Sequence, residues 1–193
     1  RFQIQNELPL ITFIGRLVHE KGADVLPDAI GRFLSEGGKA SFVVLGTGDP
    51  ALKDAFLKMK AHLAHYFDTS IEYNEGLSHQ LYAASDFLVM PSRVEPCGLN
   101  QMYAFRYGTV PIVRATGGLA DTVRDIDNPG GNGIRFDYLN SEALSHAFHR
   151  AVSVYHHPGA MSALRKHIMQ IDHSWEHAAS QYETLYQSLK PVL

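Results

Sequence analysis

Short apolar runs alternate along this chain with longer segments at helical spacing, and Gly or Pro marks the junctions. No other feature of the sequence restricts the fold as much. The runs at residues 10–14, 41–45, 70–73, 87–90, 110–113 and, more weakly, 133–136 have strand length. Segments 23–35, 50–65, 77–84, 99–107 and 141–156 follow them at helical spacing, and 159–169 and 175–189 add two more helices. The run Phe87-Leu88-Val89-Met90 is apolar on both faces. That pattern belongs to a parallel strand covered by helices on each side. The alternation predicts a doubly wound, Rossmann-like α/β domain, in which ligands bind beyond the carboxyl ends of the strands. With 193 residues, 45% of them hydrophobic, one core suffices, so we expect a single domain over 1–193 with a helical tail from about 141 to 193.

Charge and cysteine content narrow the function. Lys and Arg number 17 against 20 Asp and Glu, a formal net charge of −3, so no global positive field exists to hold a nucleic acid. Any phosphate site has to be local. No apolar run approaches the roughly 18 residues of a membrane span, and the Arg1-Phe2-Gln3 start has no signal-peptide pattern. The lone Cys97 excludes an internal disulfide and fits a reducing, cytoplasmic setting. A chain that opens without Met reads as part of a longer protein. The segment 125–132, rich in Asp, Asn, Pro and Gly, reads as a mobile surface connection, and Ser174 ahead of His177 as half of a capping box.

The loops after the strands hold the candidate chemistry. Gly15-Arg16 to Lys21-Gly22 places two cations five positions apart where the first helix opens. Arg16 offers a planar bidentate contact and Lys21 a flexible point charge near helix N–H groups, a set that suits a diphosphate. An ordinary solvated loop is the competing reading. Gly46 and Gly48 mark the next turn, either to let a ring or ribose approach the backbone or as a tight βα connection. Tyr73 offers a face on which a base stacks, or else covers the edge of the core. In the stretch from Met90 to Ala104, Glu95 sits in a polar loop and Gly98 leads into a helix on the same crevice. Glu95 is placed to accept hydrogen bonds from sugar hydroxyls, or to neutralise Arg93 or Arg106. Among 11 histidines, His62 with His65 and His146 with His149 are three apart on expected helices, but no third ligand converges on either pair, so no metal site is assigned. His19 and His79 lie near the expected site loops.

The run Pro91-Ser-Arg-Val-Glu-Pro-Cys-Gly-Leu-Asn-Gln-Met-Tyr103, followed by Tyr107 to Val123 with its Gly117-Gly118-Leu119-x-Asp121-Thr122-Val123, closely resembles the C-terminal half of bacterial glycogen synthases and plant starch synthases. The likeness extends from the Gly15–Gly22 loop to Trp175-x3-Ala179-x2-Tyr182. It implies the C-terminal half of a GT-B fold, the donor-binding domain of a retaining glucosyltransferase. That enzyme transfers glucose from ADP-glucose or UDP-glucose to the non-reducing end of an α-1,4-glucan, without metal or organic cofactor. By this resemblance Arg16 and Lys21 grip the diphosphate, Glu95 engages the donor glucose, and Tyr73 packs on the base. Gly98 and Leu99 supply backbone donors, Gly15, Gly46 and Gly48 lie along the nucleotide, and Cys97 lies beside the sugar.

Two positions qualify the match. Asn100 stands where the family is associated with Thr, and Tyr103 occupies the place, eight residues after Glu95, where the wider group of retaining transferases carries a second Glu. The second favours the starch/glycogen synthase branch. No Lys-Thr-Gly-Gly-Leu acceptor-domain motif precedes Leu10, so the acceptor domain is expected to lie outside this sequence, and the chain alone to be inactive. Two other readings remain: a retaining GT-B enzyme with a different acceptor, and a non-catalytic nucleotide- or glucan-binding module.

Overall fold

In the computed structural model, which describes residues 2–189, the apolar runs become six strands: β1 (Leu10–Ile14), β2 (Ser41–Leu45), β3 (Phe67–Ser70), β4 (Phe87–Met90), β5 (Val110–Arg114) and β6 (Ile134–Phe136). They form one sheet in the order β3-β2-β1-β4-β5-β6, with every pairing parallel. Parallel neighbours require crossovers. These are α1 (Leu26–Ser35), α2 (Pro50–His62), α3 (Glu75–Ala84), α4 (Asn100–Tyr107) and α5 (Gly117–Thr122), followed by α6 (Ser141–Tyr155), α7 (Pro158–Met169) and α8 (Trp175–Ser188). The chain leaves β1 toward β2 on one side and returns to place β4 on the other, so the topological switch point lies between β1 and β4.

Burial follows the apolar pattern. All residues of β2 and β4 are buried, as expected for strands with helices on both faces. On one face Phe33 of α1, Phe42 of β2 and Phe148 of α6 meet edge to face with ring centroids 5.2–5.8 Å apart. Each fully buried ring contributes about 1.5–3 kcal/mol. At the amino ends of the strands Asp86 accepts from the Leu10 N–H at 2.8 Å and pairs with Arg165 of α7. This staples α7 to the sheet.

Several element boundaries differ from the periodicity. β3 ends at Ser70, so Ile71, Glu72 and Tyr73 form a loop. Phe67, stacked on Phe56, and the buried Asp68, held by Lys60 and the Gln3 N–H, anchor the strand earlier. Helix α1 starts at Leu26 instead of 23 because Pro27 is tolerated only in a first turn. Helix α2 stops at His62, with His65 in the left-handed region at φ 74°, so the pair His62/His65 does not share a helix face. Helix α3 begins two residues early, at Glu75, where the Asn74 side chain caps the Leu77 N–H. The 125–132 segment is tied down instead of loose: Asp125 and Asp127 both pair with Arg150, and Asn132 is hydrogen-bonded to Arg124 and Thr122. Helices α6 and α7 pack on the domain, and Ser174 caps the His177 N–H as expected. On α8, Trp175, Tyr182, Leu185 and Tyr186 are exposed. The last four residues of the expected tail, 190–193, lie outside the described residues.

Candidate functional site

Two cavities meet at the carboxyl end of the switch point. The larger, about 600 Å³, is lined by Gly15, Arg16, Gly46, Tyr73 and Asn100, with further walls from α3 and α4. The smaller, about 60 Å³, is lined by Gly15, Lys21, Ser92, Glu95, Gly98, Leu99 and Asn100. They share Ile14, Gly15 and Asn100 and so form one crevice running from the β1 loop to the start of α4.

The loops after β1 and β2 lie against each other. The Gly15 N–H donates to the Leu45 carbonyl at 3.0 Å, the Leu17 N–H to the Thr47 carbonyl at 3.0 Å, and the Asp49 N–H to the Leu17 carbonyl at 2.8 Å. A Cβ on Gly46 would stand 1.9 Å from the Gly15 oxygen, and one on Gly48 2.3 Å from the Leu17 oxygen. Both glycines are therefore explained by backbone-to-backbone contact, and Gly48 lines neither cavity. The Arg16 side chain is exposed and has no hydrogen-bond or ion-pair partner among the described residues, which leaves its guanidinium available to an anion.

Lys21 is the last residue of a short 3-10 turn (His19–Lys21) that closes on Gly22 at φ 67°, and a Cβ there would run into the Pro91 carbonyl. This close approach carries the Lys21 ammonium to 2.5 Å from the Glu95 carboxylate. Glu95 is buried, with 8% of its side chain exposed, and Ser92 Oγ donates to the same carboxylate oxygen at 3.3 Å. The expected alternative partner, Arg93, turns away into a two-point pair with Asp24 at 2.6 and 2.8 Å. Burial works to raise the Asp24 pKa, but the Arg93 hydrogen bonds and charge outweigh it and hold the carboxyl below its ordinary value. His19 faces Asp24 at 3.4 Å and lines neither cavity.

The Glu95 loop is also gripped from below. The Gly118 N–H donates to the Glu95 carbonyl at 3.0 Å, and Arg114 donates to the carbonyls of Ser92 and Arg93. Gly98 and Leu99 border the smaller cavity beside Lys21 and Glu95, whereas Cys97 is exposed and lines neither cavity. Asn100 donates through Nδ2 to the Ile14 carbonyl at 2.7 Å. Its first job is thus to tie α4 to the end of β1, across the switch point.

Tyr73 is 84% exposed at the mouth of the larger cavity, so it does not cover the core edge. Sequence reasoning missed Glu72, Asn74 and Glu75 in the same wall. The Asn-Glu pair ahead of an apolar run is a helix-start signal that would have placed them there. His79, whose Nδ1 lies 3.0 Å from the Tyr107 hydroxyl, and Tyr103 complete the aromatic side. Burial, reinforced by Tyr103, raises the Tyr82 pKa far enough to keep that phenol neutral. Among the described residues no group of three or more His, Cys, Asp or Glu is placed to hold a metal ion, and no helix is long and apolar enough to cross a membrane.

Fold and crevice together define a Rossmann-type domain of the GT-B class, with the site at its switch point. Residues 1–166 match the family described as glycosyl transferases group 1, and the chain belongs to that family. It is 42% identical over 187 residues to the glycogen synthase of Flavobacterium johnsoniae, which covers 96% of this chain and 39% of that protein. The glycogen synthase of Thioalkalivibrio sulfidiphilus is 44% identical over 187 residues, covering 94% of this chain and 38% of that protein. The chain thus spans about two fifths of the length of the curated relatives it matches. Among solved structures, the catalytic domain of starch synthase IV from Arabidopsis thaliana, bound to ADP and acarbose, superposes with a TM-score of 0.84 at 38% identity. That match covers 96% of this chain and 40% of the other. Sucrose-phosphate synthase from Thermosynechococcus elongatus shares the fold, with a TM-score of 0.72 at 23% identity over 96% of this chain and 46% of the other.

Proposed function

We propose that this chain is the donor-binding domain of a glycogen/starch synthase-type glucosyltransferase. The observation that carries the reading is the joined crevice: the exposed Arg16, whose guanidinium has no partner among the described residues, and the aromatic face of Tyr73 line its larger part, and Lys21, Glu95, Gly98 and Leu99 line its smaller part. The nucleoside occupies the larger cavity beside Tyr73. The diphosphate crosses the shared floor at Gly15 toward Arg16 and Lys21, and the glucose meets Glu95. The curated relatives named glycogen synthase, and a starch synthase whose solved structure holds ADP, support ADP-glucose as donor, with UDP-glucose as the competing choice.

In the reaction the bond between the anomeric carbon and the diphosphate oxygen breaks. A hydroxyl at the non-reducing end of an α-1,4-glucan bonds to the same face of that carbon and passes its proton to the departing diphosphate oxygen. Negative charge builds on the leaving diphosphate. Arg16, Lys21 and the peptide N–H groups at the start of α4 stabilise it, and the reading needs no metal or organic cofactor. Retaining glycosidases use two carboxylates about 5 Å apart. Glu95 has no second carboxylate in the lining of its cavity, so we assign it the sugar hydroxyls and not a covalent bond. The glucan is supplied by a partner domain outside this sequence, and we place the protein in the cytoplasm, where a lone thiol such as Cys97 stays reduced.

Isothermal titration of the chain with ADP, ADP-glucose, UDP and UDP-glucose tests the proposal. The expected outcome is binding of the adenine nucleotides in preference to the uracil ones, weakened by Arg16→Ala. No binding at millimolar ligand would overturn it.

A further inference from the structure

Gln101 lies in the first turn of α4 and is completely buried, yet it touches neither cavity. Its amide nitrogen Nε2 donates toward the carbonyls of Cys97 and Gly98, both at 3.1 Å, and toward Thr122 Oγ1 at 3.2 Å. Thr122 in turn donates its proton to the Gly118 carbonyl at 2.6 Å, which leaves its oxygen free to accept from Gln101. The amide orientation is therefore determined, since the opposite one would set oxygen against two carbonyl oxygens. Gln101 Oε1 is buried without a partner among the described residues. A Cβ on Gly98 would lie 2.5 Å from that oxygen, and Gly98 has φ 76°, so its backbone conformation and the packing of this glutamine both call for a glycine.

A trans peptide carries its C=O and N–H on opposite sides, and the described chain has no cis peptide. Drawing the Cys97 and Gly98 carbonyls inward to Gln101 thus turns the following N–H groups, those of Gly98 and Leu99, outward. Both residues line the smaller cavity beside Lys21, and neither N–H is used in a backbone hydrogen bond among the described residues. We infer that Gln101 is a positioning residue: its buried amide sets two peptide planes so that the Gly98 and Leu99 N–H groups face an anion in the crevice. That the anion is the donor's diphosphate rests on the function proposed above. The Gln101 geometry itself does not.

The test titrates inorganic pyrophosphate into the isotopically labelled chain and follows the amide signals by NMR, with ADP titrated in parallel. In the unaltered chain pyrophosphate should move the Gly98 and Leu99 signals. Gln101→Leu, which removes the donor without adding charge, should weaken pyrophosphate and ADP by about tenfold or more, as expected for losing charge-assisted hydrogen bonds. Apart from residues 95–101 and the segment 118–122 that Gln101 touches, the substitution itself should leave the amide signals in place. Thr122→Val removes the Gln101 support from a position that lines neither part of the crevice, and should produce a smaller loss of the same selective kind. It decides the matter if Gln101→Leu does not fold. Unchanged affinity in the folded variants, a loss accompanied by shifts throughout β1 and β4, or Gly98 and Leu99 signals that ignore pyrophosphate would overturn the inference. Pyrophosphate binding through these amides without binding of ADP or ADP-glucose would overturn the donor assignment and leave the role of Gln101 standing.

Discussion

Lys21 and Glu95 are 74 positions apart in the chain and meet in one ion pair at the crevice. The loops that carry them were legible as strand-to-helix junctions, and so was the suitability of each side chain for a phosphate or a sugar. Their contact was not, because Glu95 has other cations near it in sequence and only the tertiary pairing of Arg93 with Asp24 removes that competitor. Lys21 therefore does two things: it offers charge to an anion and neutralises a buried carboxylate. Lys21→Ala is expected to weaken ADP binding by more than about 1 kcal/mol, the loss of a charge-assisted contact. It should also cost about 1–3 kcal/mol of stability, since Glu95 would stay buried without its cation. Adding Glu95→Gln to Lys21→Ala should restore much of the melting temperature but none of the affinity. Calorimetry and thermal melts on the single and double variants separate the two effects.

At the scale of the element, α5 shows how a helix that contributes no side chain to the crevice still shapes it. A Cβ on Gly117 would stand 2.1 Å from the Glu95 carbonyl oxygen, and one on Gly118 2.1 Å from that of Cys97. The helix start is thus pressed against the loop that carries the candidate sugar-binding carboxylate. Gly118→Ala should force that loop outward at a cost of about 1–3 kcal/mol, typical of overpacking, and weaken ADP as well. A melt and a titration of the variant check both; unchanged values would show that the loop is not held by this contact. The pair Gly117-Gly118 was visible in the sequence as part of a resemblance, but its reason was not, since nothing local states that another loop lies over it. The β3 boundary failed similarly. Ile71 and Tyr73 have strand character, but Phe67 and Asp68 find partners on α2, and a four-residue edge strand ends where its pairing with β2 ends.

Across the whole molecule, one buried and one half-buried carboxylate hold the periphery of the sheet. At one edge Asp68 takes Lys60 and the N–H groups of Gln3 and Thr69. Near the other, Asp125 takes Arg150 and the Arg135 N–H of β6. In both, burial works to raise the pKa, but the hydrogen bonds and cations outweigh it, so each carboxyl titrates below its ordinary value of 3.8. A depressed folded-state pKa means the unfolded chain takes up its proton first. The stabilisation is full above the unfolded value and is lost as pH falls through the folded one. His173, stacked on Phe105, has its pKa lowered below 6.5, chiefly by desolvation of the ring face against Phe105, and the same sign applies. The melting temperature should therefore begin to decline as pH drops below about 6.5 and fall more steeply below about 4. A flat melting temperature from pH 7 to 3 would contradict this.

The sequence by itself determined the parallel doubly wound sheet, the loops that carry the crevice and the chemical character of the side chains in them. Apolar periodicity, Gly and Pro punctuation and side-chain type are local properties, readable residue by residue. Only the tertiary structure decided that Lys21 meets Glu95, that Asn100 ties α4 to β1, that Cys97 and Gly48 stay out of the cavities and that Gln101 turns two peptide planes. Those outcomes depend on which atoms the switch between β1 and β4 brings within hydrogen-bond reach. Spacing along a single chain does not contain that information.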